Sequence, residues 1–369
     1  MDNLTHALVG AALAKSGLDR RVPLATTTLI LAANAPDIDV FSYARGPWFA
    51  LSFRRGITHG LPALLVLPFV VAGAMVAWDR WVRRRRDPDA APAPFRELLL
   101  LSFIGLLTHP TLDWMNTYGM RWWLPFDGRW SYGDSLFIVD PWLWLLLGGA
   151  VALGARRTRR GAVVLTGLAA VTSWLVLTTE MVPPPAKVVW AAGVAAFVFA
   201  RAVGRPIGLE KRVHLSCALT ALAAVYIAAM VGIHHAGAAA VRADVGATGS
   251  EGARVMVGQL PARPVRSEVL IAGERYMHEA LVWTPSAGFR HEVDGVPIPF
   301  VAADAGVSDA QAAAAVERAE AHPDIAHYMV WSRFPYWRVA RTADGYAVTV
   351  GDARYIGRGG LGGLTVTLP

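Results

Sequence analysis

Cysteine is nearly missing from this sequence: Cys217 is the only one in 369 residues. One thiol builds neither a disulfide framework nor a thiolate cluster, so any metal must be held by histidine and carboxylate. Cys217 lies in an apolar helical stretch and reads as a small packing residue. Charge is scarce as well, at 17% of residues against roughly a quarter in ordinary soluble domains. With 54% hydrophobic residues and a positive mean hydropathy, that scarcity excludes an ordinary soluble protein and points to an integral membrane one.

Other absences narrow the reading. The opening "MDNLTHALVG" starts with an acid and lacks a basic n-region, so no cleavable signal peptide is expected. There is no Gly-rich phosphate loop and no G-x-S-x-G motif. The "GRGGLGGLTV" stretch, 357–366, follows no strand–helix pattern and reads as a flexible tail. No internal repeat is visible, which weakens a transporter built from inverted halves.

Positive charge is present in short runs. The formal net charge is +7, yet Arg83–Arg86 and Arg156–Arg160 follow apolar segments directly and have no aromatic residues among them. Such runs are inner-leaflet anchors under the positive-inside rule, and no nucleic-acid partner is expected. Apolar stretches between charged punctuation predict a polytopic α-helical bundle of about eight membrane segments. These fall at 4–17, 22–34, 60–82, 96–112, 137–153, 162–179, 187–203 and 213–235, the first two too short for a comfortable span. Placing Lys15–Arg21, Arg80–Arg86, Arg156–Arg160 and Arg201–Arg212 in the cytoplasm makes all four basic loops agree. Residues 35–59, the Trp-rich 113–136, "EMVPPPAK" and everything after 236 then face outward.

From about residue 239 the character changes. "RVMVGQL", "VRSEVLIAG", "HEALVW", "HYMVWS" and "YAVTVG" predict short strands, and "SDAQAAAAVERAEAH" predicts one helix with Ser308 as N-cap. The expected division is therefore a helical membrane domain over 1–238 and a small α+β, extracytoplasmic soluble domain over 239–369. That domain is a candidate surface for a protein partner.

The polar residues of the apolar half form an ordered set. His6 ends "DNLTH", Asp37 and Asp39 end "NAPDID", His59 sits in "RRGITHG", and His109 and Asp113 open and close "HPTLD". On the positive-inside orientation all six lie at one membrane depth. His109 and Asp113 are i,i+4 and share a helix face, although Pro110 suits a helix only near its first turn. Asp37 and Asp39 are i,i+2 and share a side of an extended or turn segment. A lone intramembrane histidine is more often a structural hydrogen-bonding residue. Six convergent ionisable groups near lipid are costly and usually functional. The set suits zinc, with manganese or iron as alternatives, as one or two divalent ions. Thr5, Asn34, Thr58, Asn116 and Asp134 are candidates to orient the ligands. Arg55 is a candidate for an anionic substrate or a partner of Asp39, and Asp140 for an additional ligand, a general base or the N-cap of the helix opened by Pro141. The histidines from His214 onward lack ligand spacing.

"MDNLTHALVGAALA", "NAPDID", "RRGITHG" and "THPTLDWMNTYG", in this order, resemble a bacterial inner-membrane family of metal-dependent hydrolases, some of whose members are described as LexA-binding. The resemblance covers about residues 1–150, and "WSRFPYW" and "DARY" are similar to the C-terminal part of its longer members. It implies a divalent-metal hydrolase in the inner membrane with an undefined substrate, and by position His6, Asp37, Asp39, His59, His109 and Asp113 match its polar core. One departure is Gly60, where a serine commonly follows Thr-His. The expected function is hydrolysis of an ester or phosphoester at or near the membrane surface through metal-activated water. The competing expectation is a non-enzymatic, partner-binding membrane scaffold with a structural metal or polar cluster.

Overall fold

The computed structural model describes residues 1–202, 208–247, 252–284, 286–293, 297–356 and 363–369. The helices up to residue 247 are α1 (Asn3–Leu13), α2 (Ala25–Asn34), α3 (Pro47–Phe53), α4 (Leu61–Arg86), α5 (Phe95–Trp114), α6 (Pro141–Gly154), α7 (Arg159–Thr178), α8 (Pro184–Ala202) and α9 (Leu209–Ala247). Each of the eight apolar stretches therefore contributes a helix among the described residues. Among the described residues, however, only four helices are long and apolar enough to cross a membrane: α4, α7, α8 and α9. The expectation of about eight spans is corrected by length and composition. Helices α1, α2 and α6 have 11, 10 and 14 residues, short of the about 20 that a bilayer requires. Helix α5 reaches 20 residues but spends positions on Arg96, Glu97, His109 and Asp113.

The chain divides into two compact units. The first comprises Met1–Ile38, Arg55–His234 and Gly258–Pro264; the second comprises Asp39–Arg54, His235–Val257 and Val265–Pro369. In the first unit, α2 packs against both α1 and α5. Glycines make that approach possible. A Cβ on Gly10 of α1 would stand 2.6 Å from the Leu29 carbonyl oxygen of α2, and one on Gly105 of α5 would stand 3.0 Å from that oxygen and from Ala32 Cβ. Small residues of this kind let helix backbones close up in lipid. Leu8 of α1, Leu143 and Leu147 of α6, Trp190 of α8 and Met230 of α9 share a second apolar core. Cys217 is exposed on α9 instead of packed inside.

The second unit contains two four-stranded sheets. The strands β1 (Arg254–Leu260), β2 (Arg263–Ala272), β3 (Tyr276–Thr284) and β4 (Gly288–Val293) follow one another in the first sheet. In the other sheet, β5 (Val301–Ala303) pairs parallel with β6 (Pro335–Thr342), and β7 (Gly345–Asp352) and β8 (Leu364–Leu368) continue antiparallel. Between β5 and β6 lie α10 (Asp309–Glu320) and α11 (Pro323–Trp331). Ser308 caps α10 through a capping box with Gln311, as its sequence predicts. Two expectations fail here. "HYMVWS" is not a strand: His322 caps and Pro323 opens α11, and Ile325, Tyr328 and Trp331 bury one helical face. The "GRGGLGGLTV" stretch ends in strand β8, not in a flexible tail, and 357–362 lie outside the described residues. The short helix α3 belongs to this unit, where Trp48 meets the Tyr328 ring edge-on at 5.8 Å and Ser52 Oγ lies 3.1 Å from His327 Nδ1.

Candidate functional site

Three short chain segments and the end of α5 bring the site together. Asp2 caps α1 by accepting from the Thr5 amide at 3.0 Å, so the helix starts one turn before His6. His109 and Asp113 occupy one face of α5, and the helix runs through Pro110 to Trp114. The helix therefore accommodates Pro110 well past its first turn, where the ring removes the bond to the Leu106 carbonyl. His59 ends a tight turn in which its amide and that of Gly60 both donate to the Gly56 carbonyl. Gly60 is required there, because a Cβ would stand 2.8 Å from the Trp122 carbonyl oxygen. Asp37 follows the end of α2 at Asn34.

The donor atoms converge. His59 Nε2 and His109 Nε2 lie 3.1 Å apart. His6 Nε2 is 3.2 Å from Asp113 Oδ1, and His59 Nε2 is 3.3 Å from Asp113 Oδ2. Asp37 completes the set, with Oδ1 3.8 Å from His59 Nε2 and Oδ2 3.8 Å from His109 Nε2. Two groups of metal-ligand geometry result, His6–His109–Asp113 and Asp37–His59–His109, which share His109. The three histidines and Asp113 are buried.

The surrounding bonds fix which nitrogens point inward. His109 Nδ1 donates to the Ala33 carbonyl at 2.6 Å, leaving the Nε2 lone pair for the centre. His59 Nδ1 lies 3.0 Å from Thr58 Oγ1. The His6 and His109 rings stack at 3.8 Å, and His6 Nδ1 is buried with no hydrogen-bond partner. Arg55 sits beside the carboxylate, its Nε 2.9 Å from Asp113 Oδ2, its Nη1 donating to Asn116 Oδ1 at 2.8 Å. The Met1 α-amino group also contacts Asp113.

His109 Nε2 presents a lone pair, and His59 Nε2 does too when Thr58 accepts from His59 Nδ1. Such atoms facing one another and the carboxylates over 3.1–3.8 Å are unfavourable unless a proton or cation lies between them. Donors bonded to a zinc ion at about 2.0–2.2 Å in tetrahedral array lie roughly 3.3–3.5 Å apart. The residues present therefore fit a divalent cation at either trio, His6–His109–Asp113 or Asp37–His59–His109.

Other candidates are placed elsewhere. Asp39 takes the Arg54 guanidinium at 3.1 Å and is in neither ligand group. Residues 35–45 form a 3-10 helix, not an extended strand, and at three residues per turn side chains two apart diverge. Arg55 accordingly partners Asp113, not Asp39. Asp140 takes the N-cap role its sequence position offered on α6, accepting from the Trp142 and Leu143 amides at 2.9 and 3.1 Å and from Tyr226 Oη at 2.8 Å; those bonds occupy the carboxylate that a general base would need. Thr5 bonds Asp2 and Trp144 rather than a ligand. Asn34 donates to Ile30 within its own helix. Asp134 is buried at a left-handed backbone position, φ 47°, outside both groups. Asn3 is a residue the sequence reading missed: its amide donates to Asp37 Oδ2 at 2.6 Å. Its place beside the N-cap was the only signal available.

Residues 1–182 match the sequence model of the YdjM inner membrane protein family. The match and the four apolar helices support an inner-membrane protein. The chain is also similar to the uncharacterized protein YfhP of Bacillus subtilis (strain 168), 25% identical over 161 residues, which are 42% of this chain and 46% of that protein. The alignment thus spans less than half of either. No solved structure matches the chain.

Proposed function

We propose that this protein is a membrane-bound, metal-dependent hydrolase acting on an ester or phosphoester at or near the membrane surface. The convergence of three imidazole Nε2 atoms and two carboxylates within a buried centre supports that reading. Asp37 and Asp113 balance the charge of one divalent ion among neutral imidazoles, so we assign one ion, and zinc suits the nitrogen and oxygen donors. Such an ion, when bound, polarises a carbonyl or phosphoryl oxygen and makes a bound water acidic near neutral pH. The chain's own groups do the rest. Ala33 and Thr58 hold His109 and His59 in register, Asn3 orients Asp37, and Arg55 leaves a positive charge beside the centre that favours an anionic ester. On the positive-inside reading the centre and the domain after α9 lie outside the cytoplasm.

Elemental analysis of the detergent-purified full chain, with hydrolysis of aryl phosphate mono- and diesters, tests the reading. Bound metal and hydrolysis, both lost in His59→Ala and Asp37→Ala, are expected. Protein that holds no metal, and is unchanged by those substitutions, would sink it. Burial of His6, His59, His109 and Asp113 favours a second reading, a structural metal that pins α1, α2 and α5 together in a scaffold. Stoichiometric metal with no hydrolysis, and unfolding on chelation, would select the scaffold.

A further inference from the structure

A second site in the helical unit shares no residue with the histidine–aspartate centre. Helices α6, α7 and α8 enclose a cavity of about 410 Å3, within the size range of about 300–1,000 Å3 typical of ligand sites. Its walls are apolar, with Leu145, Leu165, Trp190, Val194 and Phe197 among them, and Gly148 leaves open space on the α6 side. Its rim is cationic: Arg157, Arg159 and Arg201 line it, with no carboxylate among the described lining residues. A smaller cavity of about 170 Å3 shares Ala152, Arg157 and Arg201 with the first and adds Arg212.

The basic end is built rather than incidental. Arg201 donates to the carbonyls of Ala155 and Arg156 at 3.3 and 3.1 Å, and Arg157 donates to the Ala200 carbonyl at 3.1 Å. These bonds hold both guanidinium groups at the mouth. Arg157 and Arg212 stand close enough to Arg201 to repel its charge, and the buried Arg212 Nε has no hydrogen-bond partner. Three like charges with an unused donor call for an anion among them. An apolar slot leading off from that point calls for a hydrocarbon chain.

We propose that the α6–α7–α8 cavity binds one anionic membrane phospholipid, with its phosphate at Arg157, Arg201 and Arg212 and an acyl chain between α6, α7 and α8. The surrounding faces are already lipid-facing, since α7 and α8 expose Val163, Val164, Val188 and Phe199. A bulk lipid therefore enters sideways without crossing water. The basic end belongs to the Arg156–Arg160 and Arg201–Arg212 stretches that the positive-inside rule puts in the cytoplasm, so the lipid comes from the inner leaflet.

Native mass spectrometry of the full chain, released from detergent after incubation with phosphatidylglycerol or phosphatidylcholine, tests this. One phosphatidylglycerol per chain is expected to be retained in preference to phosphatidylcholine. Arg212→Gln, which disturbs no bond described above, should weaken phosphatidylglycerol retention about fivefold. Gly148→Trp should block it by filling the slot while leaving every arginine in place. Thermal unfolding confirms that both variants fold. Equal retention of the two lipids, or phosphatidylglycerol retention untouched by both variants, would overturn the proposal. So would displacement by millimolar inorganic phosphate together with indifference to Gly148→Trp, which would mark a free-anion site.

Discussion

His59 Nε2 faces His109 Nε2 at 3.1 Å across the buried end of α5. With His109 Nδ1–H given to the Ala33 carbonyl, its Nε2 offers only a lone pair, and the same holds for His59 when Thr58 accepts from Nδ1. Two carboxylates close the same space. This relationship makes metal content the first measurable consequence. The purified chain is expected to carry about one divalent ion. His59→Ala or His109→Ala should reduce that to background. Thr58→Ala, which removes only an orienting hydroxyl, should weaken affinity by about 10–100-fold. Chelator titration followed by elemental analysis reads all three, and equal affinity in Thr58→Ala and wild type would remove Thr58 from the centre.

The centre depends on backbone approach one turn away from its ligands. Gly10 follows His6 by four residues and Gly105 precedes His109 by four, and both abut the Leu29 carbonyl. Gly10→Ala places a methyl 2.6 Å from that oxygen, a backbone atom that yields only if α1 moves. A loss of about 1–3 kcal/mol of stability is expected, with weaker metal retention because His6 rides on the displaced helix. Gly73→Ala is the control, since nothing lies within 4 Å of its Cβ position; it should be neutral or slightly stabilising. Thermal unfolding in detergent with and without chelator separates the two variants.

Asp140 separates a cap from a catalytic base. Its carboxylate already serves two amides of α6 and the Tyr226 hydroxyl. Asp140→Ala should therefore cost about 1–2 kcal/mol through the lost cap and the stranded tyrosine. Metal content should not change. Loss of metal from a variant that unfolds at the wild-type temperature would return Asp140 to the centre.

Much of this was legible in the sequence, because the strongest signals are chemical. Ionisable residues inside apolar chain are expensive, so His6, Asp37, His59, His109 and Asp113 stood out, and all five converge. Asp39 and the span count were misread where backbone geometry decides. A run ending in Pro-Asp-Ile-Asp gives no period long enough to distinguish an extended segment from the 3-10 helix that forms. Helices α1, α2 and α6 carry no Lys, Arg, Asp or Glu, and hydropathy alone does not separate a short buried helix from a span. In "HYMVWS" the β-prone residues outweighed the Pro323 start signal, yet Ile325, Tyr328 and Trp331 recur at helical spacing. The packing of α3 against α11 is a long-range contact with no local sequence mark.

Asp352 gives the second unit a predictable acid response. The carboxylate is buried, and it accepts from the Ser332 hydroxyl at 2.8 Å and from the Arg333 and Phe334 amides at 2.7 and 3.1 Å. The Arg354 amide and Nε approach its other oxygen at 3.0 and 2.8 Å. Burial alone would raise its pKa, but the Arg354 charge and these donors outweigh burial and hold it down at about 2. An unfolded aspartate titrates near 3.9, so the folded form binds its proton less readily. The resulting stability, about 2 kcal/mol, is fully present above about pH 4 and is lost as pH falls from there toward 2. Hydrogen exchange over Trp331–Arg354, corrected for intrinsic rates, should show protection declining through that window. Asp352→Asn should abolish the pH dependence while lowering protection at pH 6, because it keeps the shape but removes the charge opposite buried Arg354. A wild-type profile flat between pH 5 and 2 would show that Arg354 does not hold this carboxylate down.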